Sequence, residues 1–198
     1  MKRTRGDLKD RIVDAAFARG AEVGWARVRL HDVARDLGVP LRAIYPYFTD
    51  LDAVGEAMLG RADRAMLDAA AVRGFSRLES KVRIERLIQA WLAALDPYRR
   101  EVRAFLRYKF AAAHIHLRAA LIVRLSRTIQ WLREAARFDA IGFRHDLEEV
   151  GLTALFVATV LAWLGDASPG GKRSRVFLAR ALVTADRAMA RLYPPARG

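Results

Sequence analysis

The sequence predicts an all-α fold, with a small N-terminal helix-turn-helix head followed by a larger helical bundle. Three observations carry this. Apolar residues recur at helical spacing along most of the chain, and no stretch alternates apolar and polar residues between turn signals as strands do. Glycine and proline gather where helices would have to break. Just over half of the 198 residues are apolar (53 %), enough for a sizeable core.

Taken in order, Asp7 is placed to cap a first helix that carries Leu8, Ile12, Ala15 and Ala16 on one side, and Gly24 lies just past its end. A short second helix is expected over Leu30–Leu37. Gly38 follows, where a tight turn asks for a left-handed residue. Pro40 then suits the start of a third helix, and Pro46 ends it by disfavouring helical geometry in the residue before it. Asp50 opens a fourth helix reaching about Val72, and Gly74–Ser80 reads as a linker. Ile84, Leu87, Ile88, Trp91 and Leu95 then form one stripe of an amphipathic helix. Asp96-Pro97 restarts the chain into helices over about 97–112 and 115–138. The run 143–165 is the most apolar helix. The stretch GDASPGGKR is an exposed loop by its turn residues, and a last helix over about 172–192 ends at Tyr193-Pro194-Pro195. The domain organisation expected is a head over 1–50 and a body over 51–198.

The segment VARDLGVPLRAIYPYF, from Val33 to Phe48, fits two short helices held at a fixed angle to read DNA. Val33, Ala34 and Leu37 face a local core, and Ala34 is small enough for close helix approach. Val39 and Ile44 pack beneath. Pro40, Leu41, Arg42, Ala43 and Tyr45 are left facing outward. Arg42 suits a phosphate or a guanine edge, and Tyr45 and Tyr47 offer hydroxyls to phosphates. By spacing alone, a helical hairpin without a DNA role fits the same pattern.

The first helix RIVDAAFARGAEVGW, then HDVARDLGV, then Tyr45-Pro46-Tyr47-Phe48 resemble the TetR family of transcriptional regulators over residues 8–60. The resemblance implies a DNA-binding head, an all-helical ligand-binding and dimerisation body, and a homodimer on a palindromic operator in double-stranded DNA. It assigns Tyr45 and Tyr47 to the DNA backbone and Pro40, Leu41 and Arg42 to the groove-facing end. Arg29 stands where the family usually has a threonine that caps the second helix and touches phosphate. Pro40 replaces a common serine, Ala43 a glycine, and Leu51 a lysine. A second resemblance covers the body. ALDPYRREVRAFLR, TIQWLREAARF and FVATVLAWLGDASPG are similar to lipid-binding accessory proteins of coenzyme Q biosynthesis. That resemblance implies an isoprenoid lipid and a membrane surface as partners.

Charge adds a constraint. Residues 1–60 hold ten basic and nine acidic residues, so of the chain's 35 and 22 the remaining 25 and 13 lie after residue 60. The excess of +13 therefore sits almost wholly after residue 60, where anionic headgroups would also suit it. An apolar or amphipathic ligand is expected in the body, with Trp91, Phe105, Tyr108, Trp131 and Phe156 as its lining. Ordinary core packing explains the same aromatics.

Other chemistry finds no support in the sequence. There is no cysteine, hence no disulfide or thiolate site, and this fits a reducing, cytoplasmic setting. His114 and His116 point to different sides of a helix, and His31 and His145 are isolated, so no metal site is expected. GDASPGGKRS lacks the glycine spacing of a phosphate loop, and no nucleophile motif or cofactor fingerprint is present. The expectation is a non-enzyme without cofactor. MKRTRGDLKD has no apolar run behind its basic residues, which predicts no signal peptide. The 16 residues of Val150–Gly165 fall short of the roughly 20 that span a bilayer.

Overall fold

The computed structural model describes residues 5–110, 115–138 and 143–192, and among these it contains helices and no strand. The helices are α1 (Arg5–Val23), α2 (Leu30–Asp36), α3 (Leu51–Ala70), α4 (Ser80–Leu95), α5 (Arg99–Phe110), α6 (Ile115–Ala136), α7 (Phe143–Leu164) and α8 (Lys172–Leu192). His114 and the ending Tyr193-Pro194-Pro195 lie outside the described residues, as do the side chains of Asp7, His116 and His145. No helix among the described residues is long and apolar enough to cross a membrane.

Three local expectations need correction. α1 already runs at Arg5, so Asp7 lies inside it and not ahead of it. Gly74–Ser80 is more than a linker, because a 3-10 turn at Phe75–Arg77 buries the Phe75 ring. The GDASPGGKR loop is not simply exposed. Asp166 is buried and gathers the loop around itself. Ser168 donates to one carboxylate oxygen from its backbone N–H (2.8 Å) and hydroxyl (2.6 Å), and Ser174 does the same to the other (both 2.8 Å). These donors hold the Asp166 carboxyl far below its ordinary range, by favouring the charged form.

Packing divides the chain into two compact units. One comprises the residues up to Ala62 together with Leu95–Leu121, and the other comprises Asp63–Ala94 together with the residues from Ile122 onward. The first is centred on aromatic rings. Phe17 meets Trp25 at 4.8 Å between centroids and Tyr98 at 5.8 Å, and Trp25 meets Phe105 at 5.2 Å. Phe105, fully buried, lies directly on the backbone of α3 at Gly55. Beside it the buried Lys109 ammonium sits 3.1 Å from Asp52 and also pairs with Glu56, so α5 is tied to the first turns of α3 by charge as well as by the ring. A buried ammonium needs such partners, since losing one leaves an uncompensated charge out of water.

The second unit buries the stripe Ile84, Leu87, Ile88, Trp91 expected of α4, together with Ile129, Leu132, Leu152, Phe156, Leu178 and Leu182. Its polar centre is Asp63. That carboxylate accepts from Trp91 Nε1 (2.9 Å), Thr128 Oγ1 (3.1 Å) and Arg124 Nη2 (2.5 Å). Trp91 stands edge-on to Phe156 at 5.0 Å.

Gly55 provides the sharpest test of the first core. A Cβ added there would stand 2.4 Å from the Phe105 ring, which is enclosed and has no room to withdraw. Gly55→Ala is expected to lower unfolding stability by about 1–3 kcal/mol through overpacking, read as a shift of the urea midpoint.

Candidate nucleic-acid interface

The head begins where Gly24 ends α1, and a 3-10 turn follows at Trp25–Arg27. Trp25 drops into the first unit's core and anchors the elbow. Arg29 occupies the N-cap position of α2 with no side-chain cap bond to the helix. Its guanidinium instead turns back and donates to the carbonyls of Ala26 (3.1 Å) and Val28 (3.0 Å), while the residue remains exposed. The positive charge is retained at the start of α2, but it does not serve the helix as a hydroxyl cap would.

α2 ends in a Schellman motif. The Val39 N–H donates to the Ala34 carbonyl (3.0 Å), the Gly38 N–H donates to Arg35 (3.0 Å), and Gly38 has φ +65°. This is the left-handed turn the sequence calls for. Pro40 then resumes in extended conformation, and its carbonyl accepts from Ala43 at 2.8 Å.

The third head element is shorter than the helix expected. It is a 3-10 turn over Leu41–Ala43, continued by turns in which the Tyr47 and Phe48 N–H groups both donate to the Ile44 carbonyl. The physical reason is the bracket of prolines. Pro40 and Pro46 leave five residues between them, and Pro46 disfavours helical geometry at Tyr45. Asp50 then caps α3, accepting from the Ala53 N–H at 2.7 Å.

The predicted residues sort as expected except that Leu37 and Val39, expected inside, and Ala43, expected outside, are all half-buried. Val33, Ala34, Ile44 and Phe48 are buried. Pro40, Leu41, Arg42 and Tyr45 are exposed, Tyr45 by 79 %, and Tyr47 is half-buried. Arg29 is exposed at the start of α2, as described.

Residues 1–60 have a balance of only +1, and much of their charge is paired within the protein. Arg19 grips Asp36 through two bonds of 2.6 Å, Arg35 pairs with Asp32, and Arg61 pairs with Asp14 (2.5 Å) and Asp10 (3.1 Å). Arg27 donates to the Val23 carbonyl. Arg42 alone among the arginines between Gly24 and Asp50 makes no hydrogen bond or ion pair with the described protein. A cation that reading from sequence missed is Lys9, whose ammonium lies 5.9 Å from the centre of the Phe48 ring. The two residues are far apart in sequence, and no local pattern joins them.

The residues expected to line a ligand pocket fall in different surroundings. Phe105 is core of the first unit, where Tyr108 lines a cleft of about 420 Å³ with Trp25, Arg27 and Arg107. In the second unit Trp91 and Phe156 pack on each other in the core. Trp131, 53 % exposed, lines a surface cleft with Gln130, Glu134 and Phe138. No group of three histidine, aspartate or glutamate side chains among the described residues is placed to hold a metal ion.

An all-helical chain with a helix-turn-helix edge of this build is of the transcription-regulator class, and solved structures bear on which one. The crystal structure of a TetR transcriptional regulator from Nitrosomonas europaea is 38 % identical, with a TM-score of 0.81, and the match covers 91 % of this chain and 98 % of that one. A TetR-family regulator from Syntrophomonas wolfei matches with a TM-score of 0.65 at 12 % identity, over 92 % of this chain and 96 % of that one. The regulator PfmR from Thermus thermophilus matches with a TM-score of 0.52 at 16 % identity, over 88 % and 98 %. No family model and no curated protein matches the chain. The chain belongs to the TetR family of transcriptional regulators.

The Arg19–Asp36 pair makes the head's stability sensitive to acid. Hydrogen bonds from Arg19 hold the Asp36 carboxyl below its ordinary value of 3.8, with burial opposing them. A depressed folded-state value means that the stabilisation is present above pH 3.8 and is lost as pH falls through the folded value. Asp36→Asn is expected to be less stable than wild type at neutral pH. The gap between their urea midpoints should close as the solution is acidified below the ordinary carboxylate range.

Proposed function

We propose that this chain is a ligand-responsive regulator that binds a palindromic DNA operator as a homodimer. The observation that carries the reading is the exposed edge of Pro40, Leu41, Arg42 and Tyr45, with Arg42 uncommitted to any protein partner among the described residues. Arg42 reaches a guanine edge or a phosphate. Tyr45 and Tyr47 meet the DNA backbone, and the charges of Arg29 and Lys9 flank them. The functional division runs between a head over 1–50 and a body over 51–198.

Two copies join through α7 and α8. Val150 and Leu161 on α7, and Val176 and Phe177 on α8, are large apolar side chains left in solvent by the single chain. A two-fold contact that covers them sets the heads to face successive major grooves, roughly 34 Å apart. An apolar or amphipathic ligand in the body changes DNA affinity only through unequal binding to the two arrangements of the heads. The protein works in the cytoplasm, where the operator lies.

A lipid-carrier reading rests on α8, which exposes Lys172, Arg173 and Arg180 around Val176 and Phe177, a composition that also suits anionic headgroups. One comparison separates the two. Wild type is expected to bind a palindromic duplex selected from a random pool, two chains to each duplex, with affinity falling as salt rises. Arg42→Ala should lose about 1–3 kcal/mol per head and relax the base preference. Equal binding of wild type and variant to any duplex, together with sedimentation on anionic vesicles, would instead establish the carrier.

A further inference from the structure

The outer edge of the head carries an apolar side chain beside its uncommitted cation. Leu41 is 51 % exposed, and Arg42 follows it directly. Leu41 and Arg42 are both exposed on the 3-10 turn Leu41–Ala43, while Ala43 is half-buried and Ile44 is buried beneath it. A lone exposed leucine is ordinary on a protein surface. This one shares a narrow tip with a guanidinium that has no partner among the described residues, and the two groups recognise different features of a base pair.

In the major groove an arginine fork matches O6 and N7 of guanine, whereas an apolar side chain meets the C5 methyl of thymine. Leucine has nothing to offer a phosphate or a hydrogen-bonding base edge. We propose that Leu41 is a specificity-determining residue that reads the 5-methyl group of a thymine next to the guanine read by Arg42. The inference rests on the DNA-reading function proposed above and names part of its target. Leu41 supplies preference for thymine through the methyl alone, so its contribution vanishes when that methyl is removed and every hydrogen-bonding group is left in place.

The test uses the full-length protein and a half-site selected from random duplexes. Each thymine of the selected site is replaced in turn by deoxyuridine, which deletes only the methyl. At one thymine adjacent to a guanine, wild-type binding is expected to weaken about fourfold per half-site, corresponding to about 0.8 kcal/mol for one buried methyl-sized group. Leu41→Ala should bind the thymine and uracil duplexes equally and keep the guanine preference. Arg42→Ala should lose the guanine preference and keep the thymine–uracil difference. Leu41 is on the surface, so its truncation leaves the core intact. If wild type selects a site but no deoxyuridine replacement weakens binding, the methyl contact is wrong and the regulator reading stands. The methyl contact is equally overturned if Leu41→Ala still distinguishes thymine from uracil. Failure to select any sequence overturns the regulator reading and this inference together.

Discussion

Ile44 is the residue on which the head depends. It lies buried in the first unit, and its carbonyl accepts from both Tyr47 and Phe48. Ahead of it, the left-handed Gly38 turns the chain out of α2, and Pro40 fixes an extended step. Ile44 is buried, while Leu41, Arg42 and Tyr45 around it are exposed. The edge is thus defined from beneath by packing. It requires no long helix, and the proline bracket does not allow one.

The second determinant is electrostatic. The segment 1–60, with ten basic and nine acidic residues, looks unpromising for a polyanion. Paired off, its charges mean something else. Asp10, Asp14, Asp32 and Asp36 are engaged by Arg19, Arg35 and Arg61. Partly exposed pairs of this kind each add modestly to stability. Each such pair is nearly neutral at a distance, and Arg42 is left as a cation without a partner among the described residues.

Much of this was legible in the sequence, for identifiable reasons. Helical spacing places the buried stripe of α4, and Gly38 marks its own turn because few other residues tolerate that φ. The exposure of Trp131 was also readable, since the buried positions Ile129, Leu132 and Ala136 on α6 define a face from which Trp131 is displaced. The pairings were not legible. Arg19 and Asp36 are 17 residues apart, Arg61 and Asp10 are 51 apart, and Lys9 reaches Phe48 from another helix. Such contacts are set by how helices meet, and a single sequence carries no local mark of them. The gathering of a loop around Asp166 is similar, because turn chemistry predicts a loop without saying which carboxylate it closes upon.

Site-specific photocross-linking tests the orientation of the head most directly. A photoreactive side chain is placed at Tyr45, on the exposed edge, and in a second protein at Glu22, exposed on α1. The account predicts covalent capture of duplex DNA from position 45, at defined bases within each half-site, and none from position 22. Capture from position 22, with position 45 silent, would contradict it.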